Sequence, residues 1–291
     1  MLTQSEIDQR VFDLYDEYCH GQIDRRAFLA RAAAVTVGGM AMAMALLPRY
    51  AQAQTISFTD ERIKAKYVNY KSPGGNSGEM RGYSVQPSGA GPFPCLLVLH
   101  ENRGLNPYIE DVARRAATEG FLALAPDGLF PVGGYPGNDD EGRTLQSGLD
   151  QAKLRTDMLN SAHFLKAHAA SNGKLGVTGF CWGGTTTNYL ATALGPDMKA
   201  GAPYYGAAAD TAAVPAIKAS MLIHYAENDE RIDSLWPAYG AALKAANVPH
   251  EMHMYAGTQH GFHNNSTPRY HEASAKLSWD RTIAFFKKTL T

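Results

Sequence analysis

Three short stretches hold side chains that could act as a nucleophilic relay: "GFCWGG" at 179–184, "AENDERI" at 226–232 and "GTQHGFHN" at 257–264. The first has the outline of a G-x-S-x-G turn, with Cys181 in the serine position. A sharp strand-to-helix turn leaves little room beside its nucleophile, and Gly179 and Gly183 stand two residues to either side. Gly184 adds clearance. Such a turn puts residue 181 at the start of a helix, where the helix dipole favours a thiolate. A free thiol, with a pKa of about 8.5, is ionised only to roughly a few per cent at neutral pH, so further activation helps. Taken alone, the motif also reads as a structural cysteine beside a loop.

The other two stretches supply partners. His260 can accept or relay the proton, and Asp229 can fix its tautomer and stabilise the imidazolium. Other readings exist for each. Asp229 could cap a helix, and Glu227 or Asp233 could take the acid role. His263 lies further into its loop than His260. A metal site from the two histidines lacks a carboxylate or cysteine at the usual spacing. A developing oxyanion needs two backbone donors. One is the N–H after the nucleophile, that of Trp182, and the other is expected from Asn102 in "HENRGL" at 100–105. Glu101, directly at a strand end, would point towards the nucleophile; its other reading is a surface salt bridge with Arg103.

These residues need a scaffold that brings strand ends together. From Gln54 onward, short apolar strands alternate with helical patterns, which predicts a mostly parallel sheet flanked by helices. Strands are expected at 63–70 and 80–85, an opening antiparallel pair, and at 95–100, 121–125, 175–180, 200–205, 221–225 and 251–255. Helices are expected at 107–118, 154–170, 185–194, 236–246 and 272–290. The run "CLLVLH" is continuously apolar, as in a strand buried on both faces. Each candidate side chain then follows a strand end, where α/β sheets collect their ligands. The short segment between Tyr205 and Met221 leaves no room for a helical cap, so one domain with a shallow, open site is expected. A Cys95–Cys181 redox pair is disfavoured, because strand rise puts the two on the order of 15 Å apart.

Hydrophobic residues make up 45% of the 291 and charged ones 19%, which is ordinary globular composition. A net charge of −1 leaves no electrostatic footprint for nucleic acid or an anionic membrane. The N-terminus differs. Arg25-Arg26, an uncharged run from Ala32 to Leu47 and the pattern Ala51-Gln52-Ala53 read as a twin-arginine export signal. That reading gives a leader of residues 1–53, the twin-arginine machinery as a partner, and a periplasmic or secreted domain of residues 54–291. The apolar run is shorter than the roughly 20 residues of a membrane span. Against export stands an acidic amphipathic start, with Ile7, Val11, Leu14 and Tyr18 on one helical face. It reads as a retained helix, packed on the body of a cytoplasmic protein or on a partner subunit of a homo-oligomer.

Together "HENRGLNPYIEDVARR", "ALAPDGL", "GFCWGG", "AENDERI" and "GTQHGFHN" resemble the dienelactone hydrolase family, and in particular its exported bacterial branch. The resemblance covers almost the whole chain. It implies a cap-less α/β-hydrolase fold and a hydrolase of lactones and esters with a Cys181–His260–Asp229 triad. Glu101 then helps to generate the thiolate, and the reaction passes through a thioester acyl-enzyme. No metal or organic cofactor is implied. One departure concerns the substrate. Dienelactone-cleaving members hold its carboxylate with arginines, one of them four residues after the histidine, and here that position is Asn264. The loop "FPVGGYPGNDDEG" offers no arginine. Arg103, Arg231 or Arg269 could substitute. Tyr135, Trp182, Tyr205 and Trp236 could line an apolar pocket or simply pack. The contrasting reading is a non-catalytic ligand-binding or interaction protein on the same scaffold.

Overall fold

The computed structural model describes residues 8–19, 23, 25–45 and 54–291. The body is built on an eight-stranded sheet of order β1-β2-β4-β3-β5-β6-β7-β8. Its strands are β1 (Ile63–Lys71), β2 (Glu79–Pro87), β3 (Phe93–Leu99), β4 (Leu122–Pro126), β5 (Ser171–Phe180), β6 (Met198–Tyr204), β7 (Ser220–Asn228) and β8 (His250–Gln259). β1 pairs antiparallel with β2, and β2 antiparallel with β4. The remaining neighbours are parallel. Register lines up the exits of the central strands. Leu99 lies opposite Gly179, Phe180 opposite Tyr204, Tyr204 opposite His224, and Asn228 opposite Gln259.

Alternation along the central strands divides the core in two. Leu97, Leu99 and Val177 face one layer with Leu154, Met158, Leu190, Tyr239 and Leu243. These come from α6 (Gln151–Lys166), α7 (Trp182–Leu194) and α9 (Trp236–Ala245). Leu96, Val98 and Phe180 face the other layer with Tyr108, Val112, Ile283 and Phe286. These belong to α4 (Pro107–Thr118) and α10 (Glu272–Leu290). With both faces covered, the continuous apolar run of β3 has an apolar partner on either side. Local chemistry sets the helix starts. Asn106 accepts a hydrogen bond from Ile109 N at 3.2 Å ahead of Pro107. Asp150 accepts from Ala152 N and Lys153 N, so α6 begins at Gln151, before the expected 154.

Two features differ from expectation. The loop "FPVGGYPGNDDEG" runs into a helix, α5 (Asp139–Gly148). Asn138 and Glu141 form a reciprocal capping box: Glu141 N donates to Asn138 Oδ1 at 2.8 Å and Asn138 Nδ2 to Glu141 Oε2 at 3.1 Å. A single turn, α8 (Glu230–Asp233), follows Asp229.

The N-terminal part forms α1 (Gln9–Cys19), α2 (Arg25–Val35) and α3 (Gly39–Ala45). Val11, Leu14, Tyr15 and Tyr18 of α1 pack with Phe28, Ala32 and Ala43 in a small core of their own. α1 also rests on the body, through Gln9 on Gln259, Tyr15 on Arg269 and Tyr18 on Arg143. The site is therefore flanked on one side by a helix that the segment between β6 and β7 does not supply. Ile7 and the Ala51-Gln52-Ala53 pattern lie outside the described residues. No helix among the described residues is long and apolar enough to cross a membrane.

Candidate active site

β5 ends at Phe180 and α7 starts at Trp182, so the whole change of direction falls on Cys181. Its φ of 57° and ψ of −113° are strained for a residue with a side chain, and surrounding packing must hold them. A Cβ on Gly183 would lie 2.5 Å from Leu99 O and 2.6 Å from His100 O, and one on Gly179 would collide with Gly183 O. The turn is therefore closed against the exit of β3. Cys181 N donates to Tyr204 O at 3.1 Å, and Thr185 N donates to Cys181 O at 3.0 Å. Cys181 stays partly exposed.

His260 leaves β8 with its Nδ1 2.6 Å from Asp229 Oδ2. Both side chains are buried. A carboxylate at Nδ1 leaves Nε2 for the thiol, and the charge of the Cys181 sulfur acts on the imidazole. Burial alone would press its pKa down. The charges of Asp229 and the Cys181 sulfur more than offset this and hold it well above the usual range. Asp229 precedes α8, but its side chain makes no cap, so the carboxylate serves His260 instead. Glu227 accepts from Gly257 N at 2.7 Å at an exposed position. Asp233 is pushed up to about 7, by burial and by Asp229. His263 is turned away: its Nδ1 pairs with Tyr108 Oη at 2.7 Å, and burial holds its pKa well below normal. Among the described residues, no cluster of His, Cys, Asp or Glu could hold a metal ion.

Glu101 is only 4% exposed, so it is a buried group and not a surface one. Arg103 Nη1 donates to Asp139 Oδ2 at 2.7 Å, and its charge also acts on Glu101. The Glu101 carboxylate is held by Asn264, whose Nδ2 donates to Oε2 at 2.9 Å. Asn264 Oδ1 accepts from Ser266 N at 3.0 Å and Ser266 Oγ at 2.6 Å, which fixes the amide with its nitrogen towards Glu101. Burial raises the pKa of Glu101; Arg103 and Arg269 lower it, while Cys181 and Asp139 raise it.

Asn102 sits on the turn between β3 and α4. That turn is braced by α5: Gly104 N donates to Gln146 Oε1 at 3.0 Å, and Gly142 packs directly on Arg103 O. Trp182 N–H lies in the first turn of α7, whose amides have no acceptor within the helix. Its indole stacks on His100 at 5.2 Å. The two expected oxyanion donors thus come from adjoining segments. Of the other candidates, Tyr135 Oη donates to Asp139 Oδ1 at 2.8 Å. Tyr205 is buried with its ring 5.0 Å from His260. Trp236 packs on Tyr225, Tyr239 and His250, away from these groups. Arg231 is exposed on α8, and Arg269 is buried beside Gly261. Gln146, Asp139 and Ser266 also shape the site, through side chains that no sequence motif marks as functional. The motif "NDDE" carried the signal for α5, and nothing local marked Ser266.

Comparison with known proteins assigns the body of the chain to a family. The family model for the dienelactone hydrolase family matches residues 80–290, and a separate model, YqhI-like, matches residues 1–36. An Escherichia coli (strain K12) protein provisionally named carboxymethylenebutenolidase is 33% identical over 245 residues, covering 79% of this chain and 89% of its own. A provisionally named hydrolase fragment of the same organism, YghX, is 60% identical over 106 residues, 36% of this chain and 90% of its own. The crystal structure of a provisionally named dienelactone hydrolase from Klebsiella pneumoniae superposes with a TM-score of 0.65 at 29% identity, covering 76% of this chain and 99% of that one.

Proposed function

The chain belongs to the dienelactone hydrolase family and is an ester or lactone hydrolase, and we propose that it cleaves its substrate through a thioester on Cys181. The observation that carries this reading is the 2.6 Å contact of His260 Nδ1 with Asp229, with Cys181 held on a strained elbow at the other side of the imidazole.

The steps follow from the placement of the groups. The substrate carbonyl oxygen lies against the N–H groups of Asn102 and Trp182. The Cys181 thiolate adds to the carbonyl carbon, and the oxyanion is stabilised by those two donors. Collapse breaks the C–O bond, and His260 gives the leaving alkoxide the proton taken from the thiol. In a lactone the alcohol stays attached as part of the acyl group. Water then enters, His260 removes its proton, and the thioester is hydrolysed to the acid with return of the thiol. Asp229 keeps the imidazole in the tautomer that presents Nε2 to sulfur and water. The charge of Glu101 alone would hold the proton on sulfur; its part is that of a base, receiving the thiol proton as the thiolate forms and relaying it to His260.

The proposal extends to the ester or lactone bond and not to a particular acid. Asn264, where the resemblance places an arginine, is engaged with Glu101. Cys181→Ala should abolish turnover of small aryl esters. Retention of the wild-type rate by that variant would overturn the thioester route.

A further inference from the structure

α1 touches the segment that carries His260. Gln259, the residue before it, exchanges side-chain amide hydrogen bonds with Gln9, at 2.7 and 3.5 Å. Arg269, at the far end of the same loop, has its guanidinium carbon 4.5 Å from the centre of the Tyr15 ring. Arg143 of α5 stands 4.3 Å from the centre of the Tyr18 ring. Both rings are buried and backed by Phe28, at 5.6 and 5.1 Å. They are therefore fixed plates rather than free surface groups.

The other side of Arg269 faces the site. Its guanidinium packs against Gly261, one residue past His260, so closely that a methyl there would lie 3.3 Å from Nη2. Arg269 is 4% exposed. A guanidinium between an aromatic face and glycine backbone keeps its charge and loses most of its water, so its field reaches further. It acts on Glu101, which also faces Arg103, Cys181 and Asp139 as charged or titratable neighbours and Asn264 as its hydrogen-bond donor. Asn264 is neutral where the resemblance expects a cation. The YqhI-like match over residues 1–36 spans α1 and reaches the end of α2, so this unit recurs in other chains. Cys181 keeps partial exposure with α1 in place, which makes α1 a wall and not a plug.

Resting on the thioester reading above, we propose that α1 is a retained wall of the active site and that Tyr15 is a positioning residue, holding Arg269 against Gly261 as a cation on the loop that carries His260. The field at the thiol then depends in part on a helix more than two hundred residues from Arg269 in sequence.

The test compares alkylation of Cys181 by anionic iodoacetate and neutral iodoacetamide. It is read by peptide mapping on the full chain, with an intact mass confirming that residues 1–53 are present. A cation held beside the sulfur raises the iodoacetate-to-iodoacetamide rate ratio. Tyr15→Ala and Arg269→Met should each lower the ratio about fivefold, the order expected of one charge acting across a few ångströms of partly dry protein. The double variant should fall no further, because the two act as one unit. Tyr15→Phe keeps the ring and should keep the ratio. General destabilisation slows or speeds both reagents together and leaves the ratio in place. A wild-type ratio in Tyr15→Ala overturns the proposal, whatever Cys181→Ala does to ester turnover. Conversely, if the ratio falls while Cys181→Ala still hydrolyses esters, the thioester route fails and the wall stands.

Discussion

The amide of Asn264 donates to the carboxylate of Glu101 across 2.9 Å, between two side chains that are both almost fully buried. The bond couples the loop after His260 to the exit of β3, and it is a neutral restraint on a buried acid. Hydrogen bonds to charged groups contribute about 1.5–3 kcal/mol, so its removal shifts both the position and the ionisation of Glu101. Asn264→Ala should lower kcat/KM at pH 7 by about tenfold or more, the rate equivalent of roughly 1.4 kcal/mol. The loss should shrink towards pH 9, where the thiol ionises without help. A pH profile of ester hydrolysis for both proteins checks this; a loss independent of pH would place Asn264 in substrate contact instead.

Glu101→Gln tests the charge without disturbing the shape. The glutamine carbonyl can still accept from Asn264 Nδ2, so the fold is kept and only the negative charge is lost. Burial already penalises that charge, which is why its pKa lies above the usual carboxylate value. Thermal stability should therefore stay level or rise slightly. Alkylation of Cys181 below about pH 8 should slow, while rates above the ordinary thiol pKa of about 8.5 converge with wild type. Identical alkylation across the whole range, with full esterase activity, would remove Glu101 from the chemistry.

The strands that place the site were legible because their signals are local. "CLLVLH" announces a strand covered on both sides, and the glycines of "GFCWGG" announce a turn too tight for any Cβ. The order of Cys181, Asp229 and His260 then fell at the ends of strands that register aligns. What escaped depends on distance in sequence. The Asn264–Glu101 bond joins residues 163 apart and rests on an amide oriented by Ser266. α5 was hidden by the glycines and prolines ahead of its capping box. The apolar face of α1 could be read from its periodicity, but not that Tyr15 and Tyr18 also carry Arg269 and Arg143.

The His260–Asp229 pair predicts a pH-dependent stability with a definite sign. The folded-state pKa of His260 is raised, so its contribution is complete below the unfolded value of about 6.5 and is lost as pH rises through the folded value. Asp229→Asn removes the partner. The difference in Tm between wild type and Asp229→Asn should be widest near pH 6 and narrow steadily towards pH 9. Activity should fall on the order of a thousandfold or more, since the imidazole loses its fixed tautomer. Melting curves at several pH values check the first point, and a gap that widens with pH would contradict the charge assigned to His260.

Gln146 offers a test of the braced oxyanion loop. Its Oε1 accepts from Gly104 N at 3.0 Å inside the protein, two residues beyond Asn102. Gln146→Ala leaves that buried N–H without its acceptor, at a cost of about 1–3 kcal/mol. Part of the cost is met by relaxation of the loop, which moves the Asn102 N–H away from the position of the developing oxyanion. Donors of this kind act on the transition state far more than on the bound ester. The variant should therefore lose kcat, by about tenfold, with KM little changed. Arg103→Met breaks the contact to Asp139 on the same brace and should act in the same direction. Steady-state kinetics with an aryl ester decides the matter: a rise in KM at constant kcat would mean that α5 shapes the substrate pocket, and not the oxyanion donors.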